Sequence, residues 1–394
     1  LKLTITELNS RRTNFIRAMN DTFPDWDTAL IVGKVNQYYL TGTVQDALLI
    51  IRKDGSFSYN IKRSLQRALD ETPLSCVYPM RSYRDVAQRE GRSLGNTYIE
   101  AELLPYSIVE RLRNAFEIGT LGALDNVIKQ VRAVKSPYEL HYMQISGKML
   151  DELLTNIVPQ ILKEGMSEAD FTGALTCCMF ELGYHGLTRF SRFQTEIGTG
   201  QIAFGTNSLY PTNFDGPGGA RGNSAAVPAG GDPKRLLRVG DLVFVDIGFG
   251  INGYHSDKTQ VYMFGAKPSP EAVRAHQLCL DVEKRAAELL RPGEVPAHIY
   301  ESIVRTIPED MKPFFMGYEG RTAKFLGHGI GLHVDEIPVI AGGFNTPLEE
   351  NMVIALEPKA GVENVGMVGV EDTYIVTDRG GLCITGGGRE IIEV

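Results

Sequence analysis

The feature that most constrains this chain is a pair of strand-like runs, GDLVFVDIGFGI and YHSDKTQVYMF, separated by Asn252-Gly253. Asn-Gly readily adopts the positive φ angles of a two-residue hairpin turn, so the runs are expected to pair antiparallel. In that register residue 248 faces 257 and residue 246 faces 259, which puts Asp246 and Asp257 diagonally on one face of the sheet. Sheet interiors disfavour aspartate, and two carboxylates there repel each other unless a cation lies between them. Taken alone, the pair is equally compatible with turn positions or with hydrogen bonds to interior backbone.

Three further segments turn the argument towards a cation. GHGIGLHVDEIP sets His328 between glycines, where an ion can approach the ring closely; VIALEPKAG puts Glu357, and VGVEDTYIVT puts Glu371, in otherwise apolar strands. A buried carboxylate without a partner protonates rather than staying charged, and a metal ion removes that cost. Asp246, Asp257, Glu357 and Glu371 with the His328 imidazole form a hard, oxygen-rich set. It suits Mn²⁺, Fe²⁺, Co²⁺ or Zn²⁺ better than a thiolate-type zinc site would.

With 394 residues the chain exceeds one ordinary core, and two lobes are expected. In the first, TELNSRRTNFIRAMNDTF reads as an amphipathic helix opened by its leading threonine, Thr6, while DTALIVG and DALLIIRKDG read as strands ending at glycine. A small α/β lobe over residues 1–125 follows, with residues 126–394 forming the second. Within the second, Ser136 caps a helix with Pro137 at its first position and Glu139 in its first turn. Further helices are expected from about Ser167 to Leu182, at 269–290 and near 297–306. Residues 194–233 are crowded with Gly, Pro, Asn and Thr, and so long an irregular stretch in a compact domain is usually functional.

The net charge of −8, with Lys and Arg scattered, argues against a nucleic-acid partner. Nor is an apolar stretch long enough to cross a bilayer, and LKLTITELNSRR lacks the profile of a signal peptide. The cysteines, Cys76, Cys177, Cys178, Cys279 and Cys383, have no paired spacing and are expected to be buried free thiols of a cytoplasmic protein.

DIGFGINGYHSDKT, GHGIGLHVDEIP, ALEPKAG and VEDTYIVT, in this order, resemble the motifs of the prolidase, aminopeptidase P and creatinase family. NQYYLTG resembles that family's creatinase-type N-terminal domain, and RAVKSPYEL its linking helix. The resemblance implies an α+β protein, with a pita-bread catalytic domain preceded by the smaller α/β domain. It implies two divalent ions, manganese foremost and cobalt, zinc or iron as alternatives, bridged by Asp257 and Glu371, with Asp246 completing one shell and His328 and Glu357 the other. A shared water would then become hydroxide and attack a polarised carbonyl, with Glu357 relaying the proton and an Xaa-Pro amide bond as the usual target. A homodimer is implied as well.

The chain departs from the family's peptidases at several positions. Two histidines beside the metals are replaced by Ala229 and Asp335, and two arginines by Gln260 and Gly369. His333, two residues before Asp335, is a candidate to stand in for one lost histidine, and His255 shares the face of Asp257. His141, His185, His276 and His298 read as structural. Donors that would hold a substrate carboxylate or an oxyanion are gone and a carboxylate is gained. A non-peptide small molecule with a cationic or neutral group therefore stands beside a peptide as a candidate substrate. A non-catalytic binding protein is the third reading, against which the burial of four carboxylates together argues.

Overall fold

Apolar runs bounded by turn residues build a six-stranded mixed sheet in the first compact unit, which ends at Arg132. Its order is Val77–Pro79, Phe57–Ile61, Ala47–Arg52, Thr28–Ile31, Ser93–Ile99 and Glu117–Ala123. Leu30, Leu48, Ile50, Val86, Leu94 and Phe116 form a core between the sheet and its helices. The first helix, Ile5–Thr22, is capped by Thr4 rather than Thr6: the Thr4 side chain accepts from the Glu7 backbone N–H at 3.2 Å. The computed structural model describes residues 3–192, 194–212 and 214–394, so Leu1, Lys2, Phe193 and Asn213 lie outside the described residues.

The second unit, Ala133–Val394, is organised around the expected hairpin. Asn252 and Gly253 both have positive φ, 52° and 92°, and strands Leu242–Ile251 and Tyr254–Met263 pair with Gly248 opposite Asp257 and Asp246 opposite Thr259. Gln201–Phe204 adds to one edge and Ile392–Glu393 to the other. A five-stranded sheet follows the order Glu336–Ala341, Phe325–Gly329, Val353–Leu356, Asp372–Thr377 and Gly380–Cys383. The two sheets join where the Thr259 N–H donates to the Glu371 carbonyl at 3.2 Å and the Asp257 N–H to the Thr373 hydroxyl at 2.9 Å.

Helices cover these sheets. Pro137–Glu152 begins with Ser136 and Glu139 bonding reciprocally, as the sequence implies, and continues through a π turn at Leu153–Ile157. Glu168–Glu181, Pro270–Glu288 and Pro296–Val304 match the other expected helices. One core gathers Leu150, Phe171, Leu175, Val245 and Phe249; another gathers Val282, Ile303, Leu326, Ile354 and Leu356. Every cysteine is a free thiol, but only Cys279 is buried; Cys177 is exposed, because it lies on the outer face of its helix. Among the described residues no helix is long and apolar enough to cross a membrane.

Candidate metal centre

Strand geometry brings the five acidic and imidazole candidates to one place. Asp246 lies mid-strand between Gln201 and Thr259, and Asp257 is on the partner strand. His328 belongs to Phe325–Gly329 and pairs with Ala355. Leu356 pairs with Asp372, so Glu357 and Glu371, each one residue further along, emerge side by side at the ends of adjacent strands. Asp257, His328, Glu357 and Glu371 are all buried.

His328 points Nε2 at the carboxylates, 3.5 Å from Glu357 Oε1 and 3.8 Å from Glu371 Oε1. Its Nδ1 lies 3.0 Å from the Gly329 carbonyl and 3.6 Å from Asp335 Oδ1. A proton on Nδ1 donated to that carbonyl leaves the Nε2 lone pair free to bind a metal. One donor atom each from Asp257, His328 and Glu371 lie within 4.8 Å of one another. Ligands about 2.1 Å from a shared ion are separated by up to about 4.2 Å, so this buried group fits a divalent metal with slight adjustment.

Lys359, a residue not singled out as a site residue from the sequence, reaches the same carboxylates. Its side chain is fully buried and Nζ lies 2.7 Å from Glu371 Oε2, 2.9 Å from Glu357 Oε2 and 3.1 Å from Asp246 Oδ2. The signal lay in ALEPKAG, where Lys359 follows Glu357 by two residues and so shares its side of an extended chain. Burial opposes charge on Lys359, but Asp246, Glu357 and Glu371 push its pKa well above the usual lysine value. Burial likewise pushes the carboxyl groups up, Asp246 to about 6 and Asp257, Glu357 and Glu371 also above their usual range, while Lys359 draws them back.

Asp335 stands beside His328, and the Ser191 hydroxyl donates to its carbonyl at 3.4 Å. His333 is buried in the same turn, its N–H donating to Glu336 Oε1 at 3.0 Å and its carbonyl accepting from Gly331. Gln260 is buried and its amide donates to the carbonyls of Val261 and Glu390. His255 packs within backbone, its ring nitrogens facing the carbonyls of Gly331 at 3.0 Å and Leu187 at 3.3 Å. A cavity of about 590 Å³ is lined by Arg192, Thr195, Gln201, Phe214, Pro228 and Ala229, among others. Gln201 is also the strand partner of Asp246, so the Gly- and Pro-rich segment walls a space that reaches the strand beside Asp246.

Residues 141–378 match the metallopeptidase family M24, and residues 11–134 match the Creatinase/Prolidase N-terminal domain. The Xaa-Pro dipeptidase of Pyrococcus furiosus is 27% identical over 370 residues, covering 93% of this chain and 95% of that protein. Among solved structures, the prolidase from Pyrococcus horikoshii superposes with a TM-score of 0.78 at 25% identity, over 97% of this chain and 100% of that one. The Xaa-Pro dipeptidase from Bacillus anthracis shares the fold with a TM-score of 0.79 at 20% identity, over 97% of this chain and 100% of that one. Together with the sheets and helices described above, these likenesses establish the α+β pita-bread architecture and its creatinase-type N-terminal domain. With buried Asp, His and Glu side chains converging within its matched region, the chain belongs to metallopeptidase family M24.

Proposed function

We propose that this protein is a metal-dependent hydrolase of an Xaa-Pro amide bond, with Asp246, Asp257, His328, Glu357 and Glu371 as its metal-binding set. The observation that carries this reading is the convergence of His328 Nε2 with Glu357 Oε1, Glu371 Oε1 and Asp257, beside a cavity of about 590 Å³. The names of the similar proteins, prolidase and Xaa-Pro dipeptidase, point to the same bond. Oxygen-rich donors favour manganese, and the resemblance implies two ions. When bound, the metal polarises the scissile carbonyl and acidifies water.

The chain's own residues do the rest. Glu357 holds one oxygen towards His328 and is the group placed to take and return the proton. The Gly329 carbonyl and Asp335 orient the His328 ring through Nδ1. His333, in the turn that carries Asp335, completes the catalytic group of Glu357, His333 and Asp335. A cytoplasmic homodimer belongs to the same proposal; five free thiols support a reducing compartment and the resemblance supports the dimer.

A second reading, hydrolysis or lysis of a small cationic or neutral metabolite, is favoured by one observation: Asp335 adds a carboxylate 3.6 Å from His328, while Ala229 presents only a methyl group to the cavity. Purified protein reconstituted with Mn²⁺ and assayed on Xaa-Pro dipeptides, small amides and cationic metabolites separates the two. The first reading expects turnover of Xaa-Pro dipeptides that chelation abolishes. Turnover confined to the metabolites would replace it with the second, and turnover that survives chelation would sink both.

A further inference from the structure

Both glutamates of the centre divide their oxygens between two positions. Glu357 Oε1 and Glu371 Oε1 lie 3.5 and 3.8 Å from His328 Nε2. Their Oε2 atoms lie 2.9 and 2.7 Å from Lys359 Nζ, which is also 3.1 Å from Asp246 Oδ2. An ammonium carries three N–H donors, and three carboxylate oxygens surround this one. Two cation positions thus share Glu357 and Glu371 between them: one bounded by Asp257 and His328, the other bounded by Asp246 and holding an amine.

We propose that the Lys359 ammonium permanently takes the place of one of the two metal ions, so that this centre binds a single divalent ion, at Asp257, His328, Glu357 and Glu371. The inference rests on the metal-hydrolase reading above and narrows it. Charge supports it: Asp246, Asp257, Glu357 and Glu371 supply four negative charges, which one divalent ion and one ammonium nearly balance. Two divalent ions with the ammonium would exceed them and would place a dication against a buried, fully coordinated cation.

Two neighbouring features keep the lysine in this position. Lys359 opens the strand Lys359–Val362 and pairs with Gly369 across the hairpin, which fixes where its Cα sits. The side chain is sealed from solvent, so the ammonium is held among the three carboxylates. Unlike a metal, it is neither removed by a chelator nor exchanged for another ion. The Asp246 side of the centre is therefore occupied by a hydrogen-bond donor, and substrate polarisation by an ion is confined to the His328 side.

The test is ion counting on the full chain. Protein freed of metal by chelation and dialysis is titrated with Mn²⁺, and bound ions are counted by elemental analysis and by electron paramagnetic resonance. The expected result is one ion per chain, with the six-line spectrum of an isolated Mn²⁺ and activity that stops rising at one equivalent. In folded Lys359→Ala, checked by circular dichroism, a second ion enters and the spectrum changes to that of an exchange-coupled pair. Two ions in the unaltered protein overturn the inference and leave the metal-hydrolase reading standing. One ion in both proteins also overturns it, because the lysine would not be what excludes the second. No ion in the unaltered protein sinks the underlying reading as well. If Lys359→Ala does not fold, the count in the unaltered protein decides alone: one ion sustains the inference and two overturn it.

Discussion

Gly369 lies directly across the hairpin from Lys359, so close that a Cβ at position 369 would sit 2.5 Å from the Lys359 Cα and 2.4 Å from the Pro358 carbonyl oxygen. Its φ of 135° is one that side-chain-bearing residues rarely adopt, and its N–H donates to His276 Nδ1 at 3.1 Å. An arginine, or any other side chain, has no room on this backbone. Gly369→Ala is expected to destabilise the protein by about 1–3 kcal/mol from the backbone conformation alone, more with the clash. Urea unfolding measures it, and a loss below about 0.5 kcal/mol would show that the hairpin relaxes freely.

Thr373 holds the strand of Asp257 against that of Glu371 with two hydrogen bonds, accepting from the Asp257 N–H and donating to its carbonyl, both at 2.9 Å. Thr373→Val keeps the shape and removes both. Metal affinity is expected to fall by roughly 10–100-fold while the fold persists, as for other groups that orient metal ligands. Mn²⁺ titration calorimetry reads this directly; unchanged affinity would mean that the backbone pairing alone positions Asp257.

Behind the metal-facing residues, strand alternation turns Lys258 and Asp372 the opposite way, where they form a fully buried ion pair at 2.6 Å. Asp372 Oδ1 also accepts from Thr385, and the buried Glu283 carboxyl is pushed well up by burial and by Asp372. Lys258→Met leaves this acid group uncompensated and is expected to cost about 3–5 kcal/mol, whereas Lys258→Met with Asp372→Leu recovers most of it. Comparing the unfolding midpoints of the single and double variants checks the coupling. Equal losses in the two would refute it.

Burial, with His185 adding to it at a ring distance of 5.0 Å, lowers His255 to about 4. The unfolded chain, with a histidine near 6.5, takes up that proton first as pH falls. The neutral ring's contribution to stability is therefore complete above about pH 6.5 and lost between there and about pH 4, on the order of 3 kcal/mol in all. His255→Asn should lose stability more gently over that window than the unaltered protein. Parallel slopes in thermal melts at matched pH values would contradict the assignment.

Much of this was legible along the chain because it depends on near neighbours. Asn252-Gly253 determined the hairpin register, and with it the placement of Asp246 and Asp257 on one face. Ser136, Pro137 and Glu139 determined where a helix starts. Thr4 was not recognised as the first cap, since Thr6 carries the same chemistry two residues later and only the backbone conformation at Thr4 separates them.

Residue types and strand alternation determined which carboxylates and which imidazole would need a partner if buried, because charged groups in apolar strands have few other solutions. What occupies the space between them was decided by tertiary structure. Lys359 reads as an ordinary strand lysine until Asp246, Glu357 and Glu371, from three separate segments, are folded around its amine. The spacing in ALEPKAG puts Lys359 on the side of Glu357, but its meeting with Asp246 and Glu371 is set by how the sheets pack. For the same reason the meaning of Gly369 appears only when its strand is laid against Lys359, where backbone closeness rather than side-chain chemistry dictates the residue.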